Sequence, residues 1–356
     1  MLRVAPRALL CCPPRASRAP QSSSSAGSPM ATSVSPDPSV SPEAAGGLVA
    51  VAQVTCTADK EHNWRQCSAL VRRAAAAGAR LVFLPEAFDF IGDSAQHSLA
   101  LAEPLHGDTV RRYRRLAREC DVWLSLGGFH ERGEDWDSTG RIYNCHLLLD
   151  SSGALVAAYR KLHLFDAALP GAPALSESSF TNPGRELLPP IDTPVGKLGL
   201  AVCYDLRFPE LAQALRGAGA QILTYPSAFT VTTGAAHWEV LLRARAIECQ
   251  CYVVAAAQSG RHNASRASFG HSLVADPWGT VVAQCHEGPG LCLAHIDLTY
   301  LEQVRRELPV HGHRRGDIYG DLSVHGHRRG DSNGDLPVHG HRRGDSNGDL
   351  PGTPGT

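Results

Sequence analysis

Three residues carry most of the chemistry this chain offers: Cys203, Glu86 and Lys161. Each closes a short apolar run. Leu198-Gly-Leu-Ala-Val ends on Cys203, Leu81-Val-Phe-Leu-Pro ends on Glu86, and Ala154-Leu-Val-Ala-Ala-Tyr ends on Arg160 and Lys161. Such runs read as buried strands, and the edge where a strand hands over to a loop is where open α/β sheets present reactive groups. Cys203 reads as a nucleophile or as one more small buried apolar residue, the commoner fate of a free thiol. Glu86 reads as a carboxylate with a raised pKa, ready to take a proton, or as a solvated group just past a strand end. Lys161 reads as a cation that lowers a thiol's pKa and meets developing negative charge, or as a basic strand end reaching water.

The segments that must position these groups alternate in type. Residues 48–54 read as a strand, and 61–77 as a helix with Trp64, Cys67, Val71 and Ala74 on one face. Residues 81–84 form the next strand, 108–120 a helix and 122–127 a strand. Residues 142–149 and 154–159, divided by Asp150-Ser-Ser-Gly, read as an antiparallel hairpin. A helix-like segment begins after Pro209, further strands occupy 221–225, 252–257 and 281–283, and a helix spans 237–248. This alternation predicts α/β with a mostly parallel core plus hairpins. Periodicity alone does not separate two stacked sheets from one doubly wound sheet.

Composition narrows the function classes. An apolar fraction of 43% beside 19% charged residues lets the middle of the chain bury a substantial core. The net charge of −1 gives no general pull toward nucleic acid or anionic lipid. No apolar run approaches the roughly 20 residues of a spanning helix. The 11 cysteines are scattered and odd in number without paired C-x-x-C spacing, which points to a reducing compartment and away from a disulfide framework or structural zinc. There is no dinucleotide fingerprint, Walker A sequence or Gly-x-Ser-x-Gly elbow.

The two ends differ from the middle. In residues 1–46, Arg3, Arg7, Arg15 and Arg18 precede the first acid, Asp37, amid Ser, Ala and Pro, which is the composition of a mitochondrial presequence. The only methionines are Met1 and Met30, so a start at Met30 removes the Arg-rich part and leaves a cytoplasmic form. At the other end, Val310-His-Gly-His-Arg-Arg-Gly-Asp recurs from Val324 and from Val338. These units have too few apolar residues to bury a core and are predicted to be disordered. Their His-Gly-His and Arg-Gly-Asp triplets read as passengers of duplication. The expected division is an extension over 1–46, a single domain over 47–322 and a repeat tail over 323–356.

Phe83-Leu-Pro-Glu86, Tyr159-Arg-Lys161-Leu-His and Val202-Cys203-Tyr-Asp-Leu-Arg-Phe-Pro-Glu210, in this order, resemble the signature segments of the nitrilase (carbon–nitrogen hydrolase) superfamily. Glu177, in Leu175-Ser-Glu-Ser, matches the second glutamate of the family's amidase branch. The resemblance runs from about residue 47 to about residue 319. It implies a four-layer αββα sandwich of two stacked mixed sheets, a homodimer, and neither metal nor organic cofactor.

The resemblance also implies a thiol amidohydrolase acting on a small-molecule amide and water. Cys203 attacks the amide carbon and a thioester forms. Glu86 holds the displaced proton, delivers it to the leaving amine and then activates water. Lys161 and the backbone N–H of Tyr204 meet the oxyanion, and Glu177 positions Lys161 or the water. Arg207 stays open between a bidentate partner for a substrate carboxylate and an ion pair with Asp205 or Glu210. His163 reads as a packed or hydrogen-bonded histidine rather than a partner of the thiol. Within the family, Trp123-Leu-Ser-Leu-Gly-Gly-Phe-His-Glu131 and Ala236-His-Trp-Glu-Val-Leu-Leu-Arg are most similar to the amidases of deaminated glutathione, a metabolite-repair activity. Phe165-Asp-Ala-Ala-Leu-Pro-Gly171 also resembles the ω-amidases. Nitrilases proper share the three residues, and a catalytically silent binding protein with this fold is the non-enzymatic alternative.

Overall fold

Strand β1 (Gly47–Val54) shows how the core is laid out. Successive strand residues point to opposite faces. Val49 and Val51 take one face, Ala50, Ala52 and Val54 the other, and all five are buried. A strand buried on both faces has a layer on each side. The computed structural model describes residues 46–168 and 175–319. The Arg-rich extension with Met30 and the tandem repeats from residue 323 lie outside the described residues.

After β1 come α1 (Lys60–Ala76), β2 (Leu81–Leu84), α2 (Ala95–Leu101), α3 (Asp108–Cys120), β3 (Trp123–Glu131), α4 (Trp136–Thr139), β4 (Tyr143–Leu149) and β5 (Leu155–Arg160). Strands β1, β2 and β3 pair in parallel, then β4 and β5 continue antiparallel as the expected hairpin. The short pair β6 (Asp166–Ala167) and β7 (Leu175–Ser176) follows. A second sheet contains β8 (Ile191–Thr193), β9 (Gly196–Leu200), β10 (Ile222–Thr224) and β11 (Tyr252–Ala255), with β9, β10 and β11 parallel. Helices α5 (Pro209–Gly217) and α6 (Val231–Cys249) lie between those strands in sequence. The chain then returns to the first sheet with β12 (Ala257–Arg261) and β13 (Ala267–Phe269). It adds β14 (Leu273–Ala275) and β15 (Val281–Gln284) to the second, and closes with β16 (Gly290–Ile296), α7 (Leu298–Glu307) and α8 (Gly316–Tyr319).

The buried residues sort these elements into layers. Ala50, Ala52, Val82 and Leu84 share a cluster with Cys67, Leu70 and Val71 of α1 and with Val110, Tyr113 and Leu116 of α3. Val49, Val51, Leu81 and Phe83 share the other cluster with Leu198, Leu200 and Val253 of the second sheet. That cluster continues to Leu211 and Leu215 of α5 and to Trp238 and Leu242 of α6. The order is helices, sheet, sheet, helices: the expected four-layer α/β sandwich, with both sheets mixed.

Two elements run longer than their sequence pattern suggests. Strand β3 continues to Glu131 because Gly127-Gly128 is absorbed as an irregularity between Leu126 and Phe129. Helix α6 begins at Val231, where Thr230 caps it by accepting from the Thr233 N–H.

Candidate active site

Glu86, Lys161 and Cys203 lie just beyond β2, β5 and β9, and the layering brings the three strand ends together. Lys161 Nζ is 3.0 Å from Glu86 Oε1 and 2.8 Å from Glu177 Oε2. Asn144, on β4, donates through Nδ2 to Glu86 Oε1 at 2.8 Å and to Glu177 Oε1 at 2.9 Å. Two carboxylate acceptors fix the orientation of this amide, because only its NH2 side can donate. The backbone N–H of Ala228 donates to Glu86 Oε2 at 2.9 Å, and that of Phe165 to Glu177 Oε2 at 2.8 Å. Glu86 is 6% exposed, Lys161 2% and Cys203 8%. The readings of Glu86 and Lys161 as solvated strand ends are therefore excluded.

The loop that presents Glu86 is tightly held. Ala87 adopts φ 57°, and its N–H donates to the Gly128 carbonyl at 3.1 Å. Gln258, wholly buried, donates to the carbonyls of Glu86 at 2.9 Å and Ala87 at 3.2 Å. Gly128 itself sits at φ +65°, and a Cβ there would come within 2.7 Å of Glu86 Cγ and 2.9 Å of Asn144 Oδ1. Only glycine fits between the two side chains.

Cys203 opens a short 3-10 turn, Cys203–Arg207, with φ 46°. A non-glycine residue in this left-handed region costs of order 1–3 kcal/mol and persists only where its surroundings over-determine it. Its surroundings do. The Cys203 N–H donates to the Pro226 carbonyl at 2.9 Å. Asp205, fully buried, accepts from the Val202 N–H at 2.9 Å and the Tyr159 hydroxyl at 2.8 Å through Oδ2. Its Oδ1 accepts from the His163 N–H at 3.0 Å and faces His163 Nδ1 at 2.7 Å. His163 stacks on Phe208 with ring centroids 3.6 Å apart, so it is the hydrogen-bonded histidine expected. The Tyr204 N–H precedes the first bond of the turn, Asp205 N–H to the Val202 carbonyl.

The electrostatics reverse two expectations. Burial pushes Glu86 up, but the Lys161 ammonium, with hydrogen bonds from Cys203, Asn144 and Lys161, outweighs it and holds the carboxyl below its ordinary range. Glu86 is not a carboxyl of raised pKa. Burial, with the Glu86 charge, pushes the Cys203 thiol well up despite Lys161 and the Ala228 N–H. Lys161 therefore does not make the resting sulfur a thiolate. Its own ammonium is disfavoured by burial but held far above the ordinary lysine value by the charges of Glu177 and Glu86. The resting site is thiol, carboxylate and ammonium.

Arg207 contacts neither Asp205 nor Glu210. It lies 3.2 Å from His237 Nδ1 and over the rings of Phe229 and Tyr204 at 5.3 and 5.8 Å. Among the described residues it has no carboxylate partner. The Asn144, Gln258, Asp205 and Ala228 contacts escaped the reading of the sequence. An asparagine inside an apolar strand such as β4 was the one local signal available for Asn144. Among the described residues, no three His, Cys, Asp or Glu side chains are grouped to hold a metal ion, and no helix is long and apolar enough to cross a membrane.

The carbon–nitrogen hydrolase family model matches residues 48–306. The chain belongs to the carbon–nitrogen hydrolase family. It is 65% identical over 274 residues to human deaminated glutathione amidase, covering 77% of this chain and 84% of that protein. The crystal structure of the Caenorhabditis elegans NitFhit protein superposes with a TM-score of 0.74 at 50% identity, over 78% of this chain and 67% of that one. A Nesterenkonia amidase, carrying the acetamide moiety of fluoroacetamide on its active-site cysteine, superposes with a TM-score of 0.62 at 26% identity, over 76% and 98%. As a carbon–nitrogen hydrolase, the protein is an enzyme that cleaves carbon–nitrogen bonds of the amide type, on the four-layer frame described above.

Proposed function

We propose that the protein is the amidase of deaminated glutathione and that Cys203, Glu86 and Lys161 perform the reaction. The observation that supports the mechanism is the Glu86 carboxylate fixed by Lys161, Asn144 and the Ala228 N–H at the strand ends that also present Cys203, whose thiol burial and the Glu86 charge keep protonated. Attack on the amide carbon and proton transfer from sulfur to Glu86 then occur together, so no free thiolate is required. The proton passes from Glu86 to the leaving amine, the acyl group stays on sulfur as a thioester, and Glu86 next takes a proton from the water that hydrolyses it. Lys161 and the Tyr204 N–H donate to the oxyanion in both halves. Glu177 acts through Lys161, which it holds by its second charge.

The similarity to human deaminated glutathione amidase supports the substrate. Deaminated glutathione is glutathione with its α-amine replaced by a ketone, so hydrolysis of the γ-amide yields 2-oxoglutarate and cysteinylglycine. Its anionic 2-oxo acid end suits the Arg207 guanidinium, which lacks a carboxylate among the described residues. The deciding experiment compares 2-oxoglutarate release from deaminated glutathione and from free ketoglutaramate, with Cys203→Ala as control. Preference for the tripeptide with a dead variant supports the reading. Better turnover of free ketoglutaramate moves the protein to the ω-amidases, and an active Cys203→Ala variant overturns the thiol mechanism.

The same proposal includes a homodimer and two cellular locations. The exposed Val231, Val240 and Ile247 of α6 support the first, which light scattering tests. The Arg-rich composition before Met30 supports a mitochondrial form beside a cytoplasmic one. Loss of the cytoplasmic pool on mutating Met30 tests it.

A further inference from the structure

Away from the active site, a second pair of side chains carries chemistry that the amidase reaction does not use. Cys285 follows β15 in the second sheet and Cys292 lies in β16 of the first. Residues 286–291 join them, and the buried Gln53 clamps that loop by donating to the carbonyls of His286 and Gly288 at 2.6 Å each. Two carbonyls bring the cysteines together. That of Ser272 accepts the Cys285 N–H at 2.8 Å and lies 3.9 Å from Cys292 Sγ. That of Val51, the ladder partner of Cys292, lies 3.9 Å from Cys285 Sγ.

These shared carbonyls place the two thiols at the same point of the inter-sheet seam. The neighbouring Cys292 side chain holds Cys285 below the ordinary thiol value against the effect of burial, while Cys285 and burial hold Cys292 far above. Cys292 is partly exposed and Cys285 is buried, 7% exposed. Another pair behaves differently. Cys56 and Cys67 converge on the Phe88 carbonyl at 3.5 and 3.9 Å, but both are wholly buried and burial pushes Cys56 up.

We propose that Cys285 and Cys292 form a redox-active dithiol that closes reversibly to a disulfide between the two sheets, with a low-molecular-weight disulfide as oxidant. The Cys285 thiolate attacks one sulfur of the oxidant. A mixed disulfide forms, the oxidant's sulfur–sulfur bond breaks and one thiolate leaves, taking the Cys292 proton. The Cys292 sulfur then attacks Cys285 Sγ, the new sulfur–sulfur bond forms and the second thiolate leaves. The protein loses two electrons and the oxidant gains two. The short clamped loop makes the second step intramolecular at high effective concentration.

The test uses the full chain incubated with glutathione disulfide, alkylated and digested with trypsin. Residues 267–305 form one tryptic peptide whose only cysteines are these two. The expected result is a peptide that changes from two alkyl groups to none, lighter than the reduced peptide by two hydrogens, and reverts with dithiothreitol. Cys292→Ser is expected to trap glutathione on Cys285, and Cys285→Ser to leave Cys292 alkylated. A wild-type peptide that keeps both alkyl groups after oxidation overturns the proposal, as does glutathione trapped on Cys292 in Cys285→Ser. The wild-type measurement decides the matter even if a variant fails to fold.

Discussion

The ammonium of Lys161 meets the carboxylate of Glu86 at 3.0 Å with both side chains almost wholly withdrawn from water. Glu177 presents a second carboxylate at 2.8 Å. Two acids and one base leave one net negative charge, which the Asn144 amide and the Ala228 and Phe165 N–H groups help to solvate. Desolvated charges persist only where such pairing is complete. Lys161 thus has a structural task beside its proposed chemical one.

Replacing Lys161 by Met is expected to affect both. Two carboxylates lose their shared counter-charge, and the unfolding free energy should fall by roughly 3–5 kcal/mol. The kcat should fall by more than a hundredfold, on the order of one oxyanion donor. Urea titration and steady-state kinetics measure the two effects. A change confined to KM would make Lys161 a binding group instead.

Asp205→Asn probes the nucleophile turn. The aspartate accepts from Tyr159, Val202 and His163, and an amide cannot accept from all of them. A loss of about 2 kcal/mol in stability is expected, since each hydrogen bond to a charged group contributes about 1.5–3 kcal/mol. The kcat should drop at least tenfold with KM nearly unchanged, because the acid acts through the placement of Cys203. Unaltered kcat in a folded variant would show that the turn holds its strained φ without it.

Arg207→Ala separates recognition from chemistry. For a substrate ending in a 2-oxo acid, KM should rise about tenfold, the effect of losing roughly 1.4 kcal/mol of charge-assisted bonding. For a neutral short-chain amide no change is expected. Equal effects on both substrates would assign Arg207 to the packing of Tyr204 and Phe229.

His146 predicts an acid-side loss of stability. Its Nδ1 faces the Ala201 carbonyl at 3.0 Å, which only accepts, so Nδ1 carries the proton and Nε2 accepts from the Ser125 hydroxyl at 2.7 Å. Burial lowers its pKa from 6.5 to about 4. The unfolded chain therefore binds a proton that the folded one refuses between those values. The stabilisation is present above pH 6.5 and is lost as pH falls toward 4, on the order of 3 kcal/mol in total. His262, also lowered to about 4 by burial, adds in the same direction. Denaturation at pH 7 and pH 5 in wild type and His146→Gln measures the slope, which the variant should flatten by about one proton. An unchanged slope would mean that His146 is protonated in the fold.

Much of this architecture is legible in the chain. The apolar runs ending on Glu86, Lys161 and Cys203 are strands in the structure, and the hairpin at Asp150-Ser-Ser-Gly is β4–β5. Helices α1 and α3 fall within a residue of their pattern because each has a clear polar and apolar face. Helix α6 is legible only in its later part, since Val240 and Ile247 make its outer face apolar as well. Strand β16 escapes notice because Gly-Leu-Cys-Leu follows a glycine-rich loop and is only partly buried. The sign of the Glu86 and Cys203 shifts was out of reach: it depends on burial set against the mutual charges of Glu86 and Lys161, which meet from separate segments, and no local pattern records that.

Strand β1 is placed at the beginning of the domain, yet its free edge is covered by strands from the end. Gly47 lies opposite Ile296 and Gln53 opposite Gly290, and at Gln53–Val54 the neighbour becomes β12. During synthesis the first sheet therefore emerges with an open hydrogen-bonding edge, and nearly the whole domain must be made before its own chain can close it. Pairing at this sequence separation is slow, and open edges recruit other chains. A nascent chain stalled before Gly290 would carry a β1–β2–β3 ladder whose edge is uncovered from Gly47 to Ala52. Ribosome-bound intermediates of this protein should need a chaperone at that edge until the last strand arrives.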